Sequence, residues 1–513
     1  MITPAGRPDP PATAAGPAAR AAGGPAWDGL LGMSAVVAVV LLATSGRYGY
    51  HRDELYFLAA GHHLAWGYPD QPPLTPAIIH LTDLLGGSLP VLRTPSALAA
   101  ALTVLLTGLT TRELGGGRRA QLIAAACSGV SAVTLVTGHF VTTTTFDVLF
   151  SAALCWLLAR TIRTGDHRLL VPAGLVLGVG LMNKNLIGVL AAVLVASIAI
   201  TGPRRLLASR WLWLGALIAV AGGLPYVLWQ AANGWPQVHM AGRISGGDDQ
   251  GGRVGFIPFQ LVLVSPLLVP IWLAGLRRLL RDPDLRPYRA FGLGYLLLGA
   301  VYLVTGGKAY YLAGMYPVLL AAGGIAADGW LRRAAERGRG RSLRTRLTVA
   351  IGLSAVINAL IGLALLPTSA LGPVLAVNPD AGEMVGWPRY ADAVASAWNL
   401  LPPGDRGHAV ILAQNYGEAG ALLRYGPERH LPAPYSGHNG FAFWGVPPDS
   451  ATTIVVTGYN QLDVDHWFGS CSLAGRVDNH QGVDNDEQGG PIFICHDPRQ
   501  PWSVLWPQLE HLG

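Results

Sequence analysis

Long apolar runs separated by short polar stretches dominate residues 28–367 of this chain. A helix that crosses a bilayer needs about 20 predominantly apolar residues, with some latitude for tilt. Runs that approach or reach that length lie at 28–46, 94–111, 119–137, 143–159, 211–230, 256–276, 290–304, 310–327 and 347–367. The pattern predicts a polytopic α-helical membrane protein.

A further apolar run, 169–201, is too long for a single crossing. As one helix it would extend roughly 50 Å at ~1.5 Å per residue, against a hydrocarbon core of about 30 Å. Its one charged point lies in the sequence Met182-Asn183-Lys184-Asn185, so we predict two short passes that break there. This gives about eleven transmembrane helices. Residues 74–90, which contain Pro76, predict a juxtamembrane helix that does not cross.

Arginines in the loops predict the orientation of the chain. They cluster at 112–119, 160–168, 204–210, 277–289 and 332–346. Basic loops stay on the cytoplasmic side, and with eleven spans all five fall on one side. We therefore expect a multi-pass plasma-membrane protein with its N-terminus cytoplasmic and its C-terminal part outside. The outer loops are then 47–93, 138–142, 183–185, 231–255 and 305–309.

Composition predicts three parts. Residues 1–27 are rich in Pro, Ala and Gly and predict a disordered cytoplasmic tail. Residues 28–367 form the transmembrane domain, with 47–93 as its first outer loop. Residues 368–513 change character and predict a C-terminal extracytoplasmic α/β domain. Its strand-like runs are Ala409–Ala413, Thr452–Thr457 and Pro491–Cys495, and its helix-like runs are Tyr390–Leu400 and Glu418–Tyr425.

Charge supports the membrane class. Of the chain, 51% is hydrophobic and 13% is charged, whereas soluble domains carry about 25% charge. The net charge of +6 comes mostly from loop arginines. Because no basic face accumulates, we expect no nucleic-acid partner.

The four cysteines separate into two pairs. Cys127 and Cys155 lie in apolar runs, where cysteine packs as a small hydrophobic residue. Cys471 and Cys495 lie in the predicted outer domain, where an oxidising compartment permits a disulfide. Their spacing matches no zinc pattern.

Polar and aromatic residues gather on the predicted outer face. The stretch 48–76 reads YGYHRDELYFLAAGHHLAWGYPDQPPLTP and contains the adjacent carboxylates Asp53 and Glu54. An interfacial loop anchored by an aromatic belt would also have aromatic residues here. Segregation of so many charges to one face favours a functional site. The other outer-face polar residues are Arg93, His139, Asp147, Lys184 and Lys308.

Five short motifs, taken in their order along the chain, resemble those of a known enzyme family. They are HRDEL with Asp53 and Glu54, DQPPL at 70–74, Leu92-Arg93, Met182-Asn183-Lys184, and GKAYY at 307–311. Over about residues 28–330 the chain resembles the GT-C glycosyltransferases, in the branch that holds the protein O-mannosyltransferases and the aminoarabinose transferase of lipid A. One position departs from the pattern, because the lipid A transferases have lysine where this chain has Gln71.

The resemblance implies an integral-membrane hexosyl- or pentosyltransferase. Its donor would be a polyprenyl-phosphate-linked sugar in the membrane lipid, and its acceptor a cell-envelope glycan, lipid or protein on the outer face. Some relatives use a divalent cation and others do not, so the resemblance leaves the cofactor and the metal undecided. The histidines His62, His63 and His139 could bind a metal, although hydrogen bonding at the interface is the simpler role.

The chemistry of glycosyl transfer suggests a role for each residue. An acceptor hydroxyl loses a proton as it attacks, and a carboxylate can take it. Asp53 is the candidate base. Glu54 is a second candidate catalytic residue that either supports Asp53 or faces the other way, but it should not have the same task, because neighbours on a helix diverge by about 100°. Asp147 is either a second acid or a helix cap. The candidate partners for the leaving phosphate are Lys184, Arg93 and Lys308, with Tyr310 and Tyr311.

Two other classes of function fit part of the pattern. A membrane transporter or flippase also has broken helices and intramembrane charges, but here the charges lie at one face and no repeated halves are visible. A non-catalytic lipid- or glycan-binding protein would need no base.

Overall fold

The computed structural model describes residues 24–246 and 252–513. The predicted tail, 1–27, lies almost wholly outside these residues, and the first helix begins at Trp27. The helices of the membrane part are α1 Trp27–Thr44, α2 Arg52–His62, α3 Leu74–Leu84, α4 Leu89–Glu113, α5 Arg118–Gly129, α6 Ala132–His139, α7 Thr143–Thr164, α8 Leu170–Leu181, α9 Leu186–Thr201, α10 Arg210–Ala232, α11 Pro236–Gly246, α12 Gly252–Val262, α13 Val269–Arg281, α14 Arg289–Thr305, α15 Tyr316–Glu336 and α16 Gly340–Gly362.

Each predicted span falls on a helix or a pair of helices. Within the described residues, seven helices are long and apolar enough to cross a membrane, and nine if each of two bent pairs is one span. The pairs bend by 52° between α5 and α6 and by 71° between α12 and α13. The chain is thus a multi-pass membrane protein. Helices α8 and α9 break where the sequence predicted but are shorter than a full span, so the count of eleven stays a prediction.

Small residues let the helices approach closely. A side chain at Gly174 on α8 would collide with the backbone of Gly215 on α10, and one at Gly275 on α13 with the backbone of Leu319 on α15. Such packing replaces the hydrophobic driving force that is missing between helices in lipid.

One end of the bundle holds the basic loops in ion pairs. The buried carboxylate of Glu113 contacts Arg163 and lies 3.1 Å from Arg112, and Arg119 pairs with Asp328. Glu113 ends α4, about 30 Å along the helix axis from Arg93 near the start of the same helix. The arginine loops that this network joins therefore lie together, as one cytoplasmic side would require.

The C-terminal part contains a four-stranded sheet. Its strands are β1 Ala409–Ala413, β2 Thr453–Thr457, β3 Phe468–Arg476 and β4 Pro491–Pro498, in the order β1-β2-β4-β3. Strands β1 and β2 are parallel, and the other pairs are antiparallel. The accompanying helices are α17 Gly372–Leu375, α18 Trp387–Asn399, α19 Tyr416–Tyr425, α20 Gln461–Trp467 and α21 Trp502–Leu509.

The sequence located β1, β2 and β4 but missed β3. That strand reads FGSCSLAGR and is largely exposed, so it has neither a β-branched run nor a clean alternation to reveal it. Cys471 on β3 and Cys495 on β4 are directly opposed and joined by a disulfide. Cys127 and Cys155 are buried and free.

The C-terminal part packs on the first loop through one shared core. Leu55 and Tyr56 of α2 are buried in the same cluster as Trp387 and Tyr390 of α18. Helix α19 lies so close to α2 that a side chain at Gly420 would approach the Leu55 backbone to 2.8 Å. The first loop is therefore held between the membrane helices and the sheet.

Candidate functional site

The local sequence fixes the start of α2. The His51 side chain accepts a hydrogen bond from the Asp53 backbone N–H at 3.1 Å, and the Glu54 carboxylate accepts one from the His51 N–H at 2.8 Å. These bonds form a capping box that satisfies N–H groups left open by the first turn. Asp53 and Glu54 then leave this turn in different directions.

Glu54 points into the protein and is fully buried. Its two oxygens accept from Arg93 Nε and Nη2, both at 2.8 Å, and Oε1 also accepts from the Val141 N–H at 2.9 Å. Arg93 is equally buried and donates to the Ser45 and Gly49 carbonyls at 2.7 Å each. All three guanidinium nitrogens are thus engaged by protein groups.

This geometry does not support the roles that the sequence suggested for the two residues. A phosphate could reach Arg93 only if the pair with Glu54 broke, and Glu54 has no exposed oxygen to offer an acceptor. A buried, bidentate pair of this kind fixes geometry. Glu54 and Arg93 are better described as positioning residues that join α2 to α4.

Asp53 faces the other way and is half-buried. Its carboxylate accepts a hydrogen bond from Tyr416 Oη at 2.9 Å, at the start of α19. The neighbouring Arg52 pairs with Asp486 at 2.5 Å and places its guanidinium 5.0 Å from the centre of the Tyr416 ring. The arginine beside Asp53 is therefore committed to other carboxylates.

The break between α8 and α9 is clamped in place. Asn183 is fully buried, accepts from Thr75 Oγ1 at 2.8 Å and donates to the Thr143 carbonyl at 2.8 Å. The Leu74 N–H donates to the Met182 carbonyl at 2.8 Å. These bonds tie the break to the DQPPL segment and to α7, so the residue that follows Asn183 has a fixed position.

Lys184 is that residue. Its ammonium donates to Thr144 Oγ1 at 3.0 Å and lies 5.2 Å and 5.5 Å from the ring centres of Tyr310 and Tyr311. These distances are in the range of cation–π attraction. Burial lowers the pKa of Lys184 to about 8.

Further predicted residues surround Lys184 closely enough to act on its charge. The positive charge of Lys308 also lowers the pKa of Lys184, whereas the negative charges of Asp147 and Asp53 raise it. Asp147 is buried, and one of its oxygens has no hydrogen-bond partner among the described residues. Asp53, Asp147 and Lys308 thus lie within electrostatic range of Lys184, and these four residues with Tyr310 and Tyr311 are called the candidate site below.

Comparison with known proteins decides the architecture. Residues 70–229 match the family model of dolichyl-phosphate-mannose-protein mannosyltransferases. The crystal structure of ArnT from Cupriavidus metallidurans bound to undecaprenyl phosphate superposes with a TM-score of 0.59 at 16% identity, over 91% of this chain and 98% of that one. The chain has the GT-C fold.

Other comparisons agree with the GT-C fold and with the predicted resemblance, which is confirmed. ArnT from the same organism in the apo state gives a TM-score of 0.57 at 16% identity, over 91% of this chain and 98% of that one. The arabinofuranosyltransferase AftD from Mycobacteria gives 0.50 at 15% identity, over 94% of this chain and 40% of AftD. No curated protein matches the chain.

Two residues of the DQPPL segment, Asp70 and Gln71, also have unusual buried environments, although the sequence gave them no role. Asp70 accepts from Tyr56 Oη at 2.5 Å. Burial raises the pKa of Asp70 to about 7, and the charge of Asp53 acts in the same direction, against the Tyr56 hydrogen bond. Gln71 is buried, and its amide nitrogen has no partner among the described residues.

The C-terminal part adds an aromatic wall that the sequence did not predict. The Tyr56 ring lies 5.0 Å from Tyr416 and 6.0 Å from Trp444, and Trp444 stacks on His63 at 4.5 Å. These partners are far apart along the chain, so only the fold could reveal them.

Lysine usage is a signal that the sequence does carry. Of the 36 residues counted as Lys or Arg, only Lys184 and Lys308 are lysines. Both belong to the candidate site. A compact ammonium whose pKa responds to burial differs chemically from a planar guanidinium, so this distribution marks the two positions.

The histidines do not form a metal site. His62 lies 3.5 Å from Asp83, His63 stacks on Trp444, and His139 is buried beside Thr44. Nowhere in 24–246 or 252–513 do three or more His, Cys, Asp or Glu side chains form a group that could hold a metal ion. The donor set does not fit a metal held by the protein alone.

Proposed function

We propose that the protein moves a sugar from a polyprenyl-phosphate donor to a hydroxyl of a cell-envelope acceptor on the outer face of the membrane. The observation that supports this most strongly is the convergence of Asp53 with Lys184 and Lys308 on a GT-C fold. The undecaprenyl phosphate bound to ArnT supports a lipid-phosphate donor.

In this proposal the two lysines stabilise the phosphate group of the sugar donor. When the bond between the anomeric carbon and the phosphate oxygen breaks, the phosphate leaves with its negative charge. Cations already in position stabilise that charge without reorganisation. Lys184 and Lys308 supply them, and the unpartnered amide of Gln71 adds a neutral donor in the segment where lipid A transferases carry a lysine.

Asp53 serves the acceptor. The acceptor oxygen bonds to the anomeric carbon, and its proton passes to the Asp53 carboxylate. Tyr416 orients that carboxylate through its hydrogen bond. Asp147 stays near Lys184 as a second acid that balances the cation, and Glu54 with Arg93 holds α2.

The decisive experiment uses Asp53→Asn in a deletion strain. Loss of the gene should remove one sugar, a hexose or a pentose, from an envelope glycan, as read by intact mass analysis. Wild type should restore it. Asp53→Asn should not, because loss of a general base removes about 10²–10⁴ in rate.

Binding of undecaprenyl phosphate to the purified Asp53→Asn variant distinguishes the alternatives. The proposal requires wild-type binding together with the lost sugar. Asp166→Asn, at an exposed turn between α7 and α8, is the matched control. If Asp53→Asn restores the glycan as well as wild type does, Asp53 is no base, and a flippase or a binding protein explains the fold better.

A further inference from the structure

A cavity of about 360 Å³ lies beside the candidate site, at the carboxyl ends of β1 and β2. Gln414 and Asn415 follow β1, and Gly458 follows β2. Ligands of open α/β sheets bind outside the carboxyl ends of parallel strands. Gly458 has φ +83°, and a side chain there would approach Glu418 Oε1 to 2.6 Å, so this glycine keeps the cavity open.

Two buried side chains that line this cavity each have one polar atom without a hydrogen-bond partner among the described residues. Glu487 is 4% exposed and its Oε2 has no hydrogen-bond partner among the described residues, and the same holds for Nδ1 of His438, which is 7% exposed. Buried polar atoms are nearly always hydrogen-bonded in native proteins. An acceptor and a ring nitrogen left open in one cavity indicate that something polar completes them.

The charges around the cavity restrict what that ligand can be. Glu418, Asp486 and Glu487 line it together with a single cation, Arg52. Burial raises the pKa of both Glu418 and Glu487 to about 7. An anion would meet this carboxylate excess unfavourably.

The lining also contains donors, which disfavours a simple cation. Arg52 carries a positive charge that repels a cation, and the amides of Gln414 and Asn415 offer N–H groups. Adjacent hydroxyls both donate and accept, so they match carboxylates and amides placed side by side. A polyhydroxylated ligand therefore satisfies the whole set.

The cavity is coupled to the base through Arg52. This residue lines the cavity, precedes Asp53 in α2 and covers the ring of Tyr416, whose hydroxyl holds Asp53. We propose that the cavity binds a saccharide unit of the acceptor and thereby presents an acceptor hydroxyl to Asp53. The inference rests on the proposed function for the identity of the ligand as an acceptor.

The test measures sugar binding without any donor. Full-length protein in lipid nanodiscs is titrated with methyl α-mannopyranoside and methyl α-arabinofuranoside, and binding is followed by saturation-transfer NMR. We expect saturable binding of at least one glycoside. At pH 8, above the raised pKa of about 7 for Glu487, Glu487→Gln should weaken it about tenfold or more, as expected for loss of a charged hydrogen-bond acceptor.

Glu428→Gln is the matched control, because Glu428 is exposed in the same part of the chain, and it should bind like wild type. Folding of each variant is checked by its thermal transition, and Asp486→Asn replaces Glu487→Gln if the latter does not fold. Equal binding by the cavity variant and the control, no glycoside binding at all, or binding of methylammonium in place of the glycosides would each overturn the proposal.

The saccharide cavity and the glycosyltransferase function can be disproved independently of each other. Glycoside binding that depends on Glu487, in a protein whose deletion changes no envelope glycan, would leave the saccharide cavity standing and remove the glycosyltransferase function. A sugar lost from the envelope with a cavity that binds no glycoside would do the reverse.

Discussion

At the scale of single residues, the adjacent carboxylates Asp53 and Glu54 make different contacts because a helix turns them apart. Asp53 meets Tyr416 at the site, whereas Glu54 is closed inside a pair with Arg93. The motif alone could not divide them. It places both carboxylates on one turn of α2, and the neighbours that distinguish them, Tyr416 and Arg93, come from elsewhere in the fold.

The rarity of lysine makes the donor side testable by chemistry. Acetic anhydride at pH 8 should acylate Lys184, because its lowered pKa of about 8 leaves much of the amine uncharged. Undecaprenyl phosphate should slow that acylation if the phosphate lies on the ammonium. Peptide mass spectrometry measures both. Unchanged labelling with and without the lipid would contradict the assignment, and the α-amino group serves as the internal control.

At the scale of elements, most helices and strands follow from pattern, and their docking does not. Apolar runs gave the membrane helices, and the break at Lys184 follows from length and charge. β3 was missed because it buries little, and the Tyr416 contact because it joins residues 363 positions apart. Local patterns report periodicity and caps, whereas long-range pairs depend on how the elements pack.

The buried ion pair between Glu54 of α2 and Arg93 of α4 gives a prediction for the stability of the protein. Arg93→Met should leave Glu54 buried without its cation and destabilise the protein by about 3–5 kcal/mol. Thermal unfolding in one fixed detergent measures the change.

The double variant Glu54→Gln/Arg93→Met removes both charges and should recover part of the loss. If the single variant melts like wild type, the buried pair is not what holds α2.

At the scale of the whole molecule, the polar site and the arginine network occupy opposite ends of the bundle. The orientation itself stays a prediction from the basic loops. A membrane-impermeant thiol reagent applied to intact cells should label Gly242→Cys and spare Glu336→Cys, both at exposed positions. Labelling of both after the cells are opened controls for reactivity. The opposite labelling pattern in intact cells would show that the predicted orientation of the chain is reversed.

Buried carboxyl groups around the first loop predict a pH dependence of stability. Burial raises the pKa of Asp70, Glu383, Glu418 and Glu487 to about 7 each. A carboxyl group whose pKa is higher in the folded than in the unfolded state stabilises the fold. Its contribution is complete below the unfolded-state pKa, near 4, and is lost as the pH rises through the folded-state pKa of about 7.

The midpoint of thermal unfolding should therefore be higher at pH 5 than at pH 8. Glu487→Gln should reduce the difference, because one titrating group is gone, and Glu428→Gln should not. A midpoint that rises with pH over this range would show that other groups, such as the charged Arg52 beside Glu383, dominate.

The hydrogen bond between Asp53 and Tyr416 also has a consequence for the order of synthesis. The two residues are 363 positions apart, and chains grow at about 5–20 residues per second. Roughly 20–70 s therefore pass between the emergence of the carboxylate and that of its tyrosine. During that interval the Asp53 carboxylate has no Tyr416 hydroxyl to accept from, so its orientation is completed only after the C-terminal part has been made and has folded against α2.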